Sequence, residues 1–143
     1  MKLDYECTFN LDRCIKALGL EERGRVQQAV TNAVLEQSDP YVPLREGYLR
    51  GSGHIENGTD IVWRSPYAHY MWAGIVYEDP MLHCAGFKTE DGWRSRKGVT
   101  KLPTNRMLRY YRGSRRSAKW VEKMMQDGGR EKIEQIARRA AAR

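Results

Sequence analysis

A chain of 143 residues suits one domain with a single modest core, and its 41% hydrophobic and 30% charged residues describe a packed interior under a solvated surface. No apolar run approaches the roughly 20 residues that cross a bilayer, and Met1-Lys2-Leu3-Asp4-Tyr5-Glu6 has none of the apolar stretch of a signal peptide, so a protein kept in a cytoplasm, or in a particle assembled there, is expected. The net charge of +7 is uneven: eleven basic residues against two acidic ones fall between Cys84 and Lys119, which leaves the rest of the chain slightly acidic.

Residues 2–10 alternate, with Leu3, Tyr5, Cys7 and Phe9 apolar, and period two predicts a half-buried strand. Asn10 is placed to cap a short helical turn over 11–15. A longer helix is predicted over 20–37, since Val26, Val30, Ala33 and Val34 form one stripe and Asp39-Pro40 ends it. A turn and short element follow over 41–53, where Gly47 can supply a positive φ. Asn57-Gly58 then predicts a hairpin joining His54-Ile55 to Ile61-Val62-Trp63.

Ser65-Pro66 reads as a cap and first helical proline for a helix over 67–73, stopped at Gly74, with a strand resuming at Ile75-Val76-Tyr77. Residues 79–113, with Pro80, Pro103 and an Asp91-Gly92 turn, read as a long hairpin or arm, its basic part spanning 84–113. From Ser117 the pattern is helical again: Trp120 and Met124 lie four apart, Asp127-Gly128-Gly129 interrupts, and Ile133, Ile136, Ala137 and Ala140 form a second stripe. The sum is a single α+β domain over 1–143, a small, mostly antiparallel sheet packed by an N-terminal and a C-terminal helix.

Cys7, Cys14 and Cys84 match no zinc spacing, so neither metal nor cofactor is expected. Ser52, His54 and Asp60 invite a hydrolase reading, but no nucleophile elbow surrounds Ser52, and no catalytic residue is assigned. Trp63, Tyr67, Tyr70, Trp72 and Tyr77 suit a core together with a subunit interface, with Tyr67, Tyr70 and Met71 on one helical face and Trp72 on another. Arg94, Arg96, Lys97, Lys101, Arg106 and Arg109 make the basic arm a contact for an acidic partner or DNA. No sequence-reading DNA motif accompanies them, so the alternative function is a nucleic-acid binder without sequence specificity.

The segment Pro43-Leu44-Arg45-Glu46-Gly47-Tyr48-Leu49-Arg50-Gly51-Ser52 resembles a signature of small phage morphogenesis proteins, with Pro43, Gly47 and Leu49 as its structural turn. In those proteins a hairpin and a tyrosine-alanine helix follow, as Ser65-Pro66-Tyr67-Ala68-His69-Tyr70-Met71-Trp72-Ala73-Gly74 does here. Gly98-Val99-Thr100-Lys101, Leu108-Arg109-Tyr110-Tyr111 and Ala118-Lys119-Trp120-Val121-Glu122-Lys123 extend the likeness to the minor capsid proteins of long-tailed phages and prophages of Gram-positive bacteria. Wider tail-completion relatives carry an acidic residue and Gly-Thr after that helix, where this chain has Ala73-Gly74-Ile75. The resemblance implies an α+β fold, no enzymatic chemistry, and a structural role in the virion as a minor capsid or a head–tail connector or tail-completion subunit. It further implies a ring-like homo-oligomer docked on other head or tail proteins, in the virion and, during assembly, in the host cytoplasm.

Overall fold

Asn10 opens the first helix. In the computed structural model, which describes residues 10–44, 47–110 and 115–143, its side-chain oxygen accepts the Arg13 amide at 3.0 Å and caps α1 (Leu11–Leu18). The rest of the strand expected over 2–10 lies outside the described residues. The helix runs past the expected 11–15 because its stop comes at Gly19, where the Leu20 amide donates to the Ile15 carbonyl at 2.9 Å. A turn closed by the Gly24 amide on the Glu21 carbonyl, 2.8 Å, then consumes residues expected to be helical. So α2 (Arg25–Ser38) starts later than predicted and ends, as predicted, just before Asp39-Pro40.

The C-terminal helix carries the predicted interruption: α5 (Trp120–Met124) and α6 (Arg130–Ala141) are separated by a kink at Asp127 and Gly128. α2 lies against α6, burying Val26 and Ala33 on one side and Ile133 and Ala140 on the other. Arg25 ties the two together, donating to the carbonyls of Ala140 (2.8 Å) and Ala141 (3.3 Å) at the end of α6 and to that of Ala17 (2.8 Å) in α1. Those terminal carbonyls have no partner within their own helices, so a guanidinium is a natural donor to them.

Between the helices come α3 (Tyr48–Gly51), the hairpin β1 (Gly53–Glu56) and β2 (Asp60–Trp63), and α4 (Ala68–Ala73). β3 (Ile75–Glu78), β4 (Phe87–Thr89), β5 (Gly92–Arg94) and β6 (Leu102–Met107) follow. The molecule is α+β, with about 45% helix and 19% strand among the described residues, where every strand pairing is antiparallel. The strands do not merge into one sheet. They form three two-stranded ladders, β1–β2, β3–β6 and β4–β5. Strands of three to six residues gain little from lateral pairing, and β1–β2 and β3 instead pack on α2 and α4. Of the segment 79–113 read as a long hairpin or arm, β6 pairs with β3, which precedes the segment, the small β4–β5 hairpin lies on the excursion between them, and residues 111–113 lie outside the described residues.

The core gathers Ala33, Tyr41, Val42, Leu49, Trp120, Met124 and Ile133 from α2, the segment after it, α3 and the C-terminal helices. No described helix is long and apolar enough to cross a membrane.

Candidate functional site

The turn that carries the sequence signature is pinned from both flanks. Gly47 has φ +91° and caps α3, whose Gly51 amide returns to the Gly47 carbonyl at 2.8 Å. Leu49, on the inner side of that single turn, is buried, as are Val42 and Pro43 before it. Arg116 reaches back to donate to the carbonyls of Asp39 (2.9 Å) and Val42 (2.6 Å), and burial pushes its guanidinium below the ordinary arginine range. Arg50 pairs with the Asp39 carboxylate.

On the other side stands α4. Its start corrects the sequence reading: Tyr67, not Ser65, is the boundary residue, no side chain caps the helix, and the Ala68 amide bonds to the Ser65 carbonyl at 3.0 Å. Its end is as predicted, with Gly74 at φ +74°. A Cβ on Gly74 would stand 2.6 Å from Ala118 Cβ, so the same glycine admits the chain leading into α5. The Leu108 amide bonds to the Gly74 carbonyl (2.9 Å), and Tyr110 donates its hydroxyl proton to the Met71 carbonyl (2.7 Å). Burial holds the Tyr110 phenol above its usual range.

These ties leave a cleft of about 200 Å³. The signature turn supplies Pro43, Leu44, Gly47 and Leu49, the helix supplies Tyr67 and Met71, and the chain after β6 supplies Leu108, Arg109 and Tyr110. Its lining is mostly apolar, and Tyr67 remains 40% exposed. Tyr48 and Met107, next in the chain to lining residues, are 71% and 72% exposed.

The five aromatic residues singled out from the sequence part company. Trp63 and Trp72 both set their rings edge-on to Trp120, at centroid distances of 5.4 and 4.8 Å, so they support the core. Tyr70 turns to Tyr77 in β3, centroids 5.0 Å apart, with the Lys101 ammonium 6.0 Å above its ring. Of the face expected to hold Tyr67, Tyr70 and Met71 together, only Tyr67 and Met71 line the cleft.

Nor are the basic residues equivalent. Arg96 grips Asp79 with two bonds of 2.6 Å, Arg106 pairs with Glu78, and Lys101 donates to the Ala85 carbonyl. Arg94, Lys97 and Arg109 are exposed, with no carboxylate partner among the described residues. Asp79 escaped the sequence reading. Its side chain is buried and also accepts the Met81 (2.8 Å) and Leu82 (3.1 Å) amides, so it organises the loop after β3. The available signal was an aspartate before Pro80, a turn-forming pair.

Ser52, His54 and Asp60 are not brought together. The Ser52 hydroxyl donates to the Leu49 carbonyl at 2.7 Å, while both His54 ring nitrogens are engaged, by the Ser52 carbonyl and by Glu56, each at 2.8 Å. Those bonds favour a protonated ring and raise the His54 pKa, the backbone carbonyl most. Asp60 stands across the hairpin from Glu56, beside the Thr59 hydroxyl. Among the described residues, no three His, Cys, Asp or Glu side chains are placed to hold a metal ion.

Compared with known proteins, residues 8–92, more than half of the chain, match a family model described as "Minor capsid protein". The match takes in the signature turn, the β1–β2 hairpin and α4, and stops before β6 and the C-terminal helices. No curated protein and no solved structure matches the chain.

Proposed function

The chain belongs to the minor capsid protein family, a family of structural, non-enzymatic phage proteins, and from that premise we propose that it is a connector or tail-completion subunit at the head–tail junction. In this reading it oligomerises around the axis of the particle and docks on other head and tail proteins. One observation carries it: the apolar cleft built on the signature turn, with Tyr67 in its lining still 40% exposed. An exposed apolar hollow of this kind is the chemistry of a contact awaiting a protein partner.

The test removes the chain from a phage that encodes it and restores it with Tyr48→Glu and Tyr67→Asp together. Both side chains are exposed, so the variant should fold. Electron micrographs should show heads and tails that fail to join, both without the chain and with the variant. Joined, infectious particles in its complete absence would refute the junction role.

The exposed Arg94, Lys97 and Arg109 favour a second reading, contact with DNA phosphates without sequence preference. Its mark would be duplex binding at low protein concentration that falls steeply with salt.

A further inference from the structure

Two complementary features stand at opposite ends of one ladder. β3 and β6 pair from Ile75 with Met107 to Glu78 with Leu102. Past the Glu78–Leu102 end the chain makes its excursion over 79–101; past the Ile75–Met107 end, Leu108 turns into the cleft. The ladder, roughly 10 Å long at about 3.3 Å per residue, stands between them.

The excursion presents an aromatic knob. Trp93 is 65% exposed, and its indole lies over Gly86, where a Cβ would collide with the ring. The Asp79–Arg96 pair anchors the loop beneath it. Glu90 and Asp91, at the tip of the β4–β5 hairpin, are exposed and have no basic partner among the described residues. At the far end of the ladder the cleft offers the reverse: an apolar hollow of about 200 Å³ with the exposed Arg109 in its lining.

We propose that Trp93 of one copy seats between Tyr67, Met71 and Leu108 of a second copy, with Glu90 and Asp91 against that copy's Arg109. The proposal rests on the assembly reading above and names the surfaces that would perform it. A buried aromatic anchor ringed by polar groups is the usual energetic centre of a protein contact. A knob and a hollow at separate places on one chain make a head-to-tail contact, which closes into a ring when the rotation per copy permits. The hairpin's own charge decides against DNA as the occupant. Lys88 and Arg94 are balanced by Glu90 and Asp91, and carboxylates at the tip would repel phosphates.

The experiment places p-benzoylphenylalanine at position 93 of the full chain, assembles particles, irradiates them, and sequences the cross-linked peptides. Dimers of the chain, linked from position 93 to residues 67–71 or 108–110, are expected. Glu90→Lys with Asp91→Lys should cut the dimer yield about tenfold, and adding Arg109→Glu should restore it. These residues are exposed, so unchanged melting temperatures should accompany the loss. A link to another virion protein or to DNA, links within one copy only, or no link in particles that contain the chain would overturn the knob-and-cleft contact and leave the assembly reading standing. Absence of the chain from the particles would overturn both.

Discussion

Gly47 sits at φ +91°, yet among the described residues a Cβ there would meet nothing nearer than Leu44 Cδ1 at 3.9 Å. The left-handed backbone is thus the cost a side chain would meet there. Gly47→Val should destabilise the fold by about 1 kcal/mol or more, and Gly47→Asn by less, because asparagine tolerates the left-handed region. Urea melts of the two variants would measure the difference, and a valine variant that melts like the wild type would remove the constraint. Gly74 contrasts with it, since its φ of +74° is joined by the close approach of Ala118. Sequence marks both as turn glycines. It could not separate them, because the crowding at Gly74 comes from a residue far along the chain.

The loop after β3 shows one carboxylate organising an element. The Arg96 guanidinium, above all, holds the Asp79 carboxyl well below the usual range; burial opposes this, and the Leu82 and Met81 amides add to it. A depressed carboxylate stabilises the fold above its unfolded pKa and loses that contribution as pH falls through the folded value. The loop should therefore stay closed from neutrality down to about pH 4 and loosen only in stronger acid. Hydrogen exchange at pH 6 should find the Met81 and Leu82 amides protected, and Asp79→Ala should abolish that protection while sparing β3. Unchanged protection in the variant would show that Asp79 does not hold the loop. The basic composition of 84–119 was plain from the sequence, but which cations are spent inside the molecule was not. Arg106 finds its carboxylate in β3, across a ladder whose register composition does not encode, and Arg96 finds its own just after β3.

At the scale of the whole molecule, Trp120 holds the parts together. It is 2% exposed and meets Trp63 of the first hairpin and Trp72 of α4 edge-on. Trp120→Ala should cost about 3–5 kcal/mol, a large share of the roughly 5–15 kcal/mol that a domain holds in reserve. Trp63→Ala added to it should cost less than the two changes summed, since both remove one shared contact. Denaturant unfolding of the single and double variants would test this, and a loss under about 1 kcal/mol for Trp120→Ala would mean that the core closes without it.

The sequence by itself determined what neighbouring residues decide together. Asn10 caps the first helix, Asn57-Gly58 turns the hairpin, Asp39-Pro40 and Gly74 stop helices, Asp127-Gly128 kinks the last one, and apolar stripes run along α2 and α6. Each follows from hydrogen bonding or side-chain spacing within a few residues of the chain. Only the tertiary structure decided that the strands form three ladders, that three tryptophans meet, that Asp79 claims Arg96, and that the signature turn, α4 and Leu108 enclose a cleft. Those outcomes depend on packing between residues tens of positions apart, where many pairings satisfy the same local pattern and only the fit of the assembled surfaces selects one.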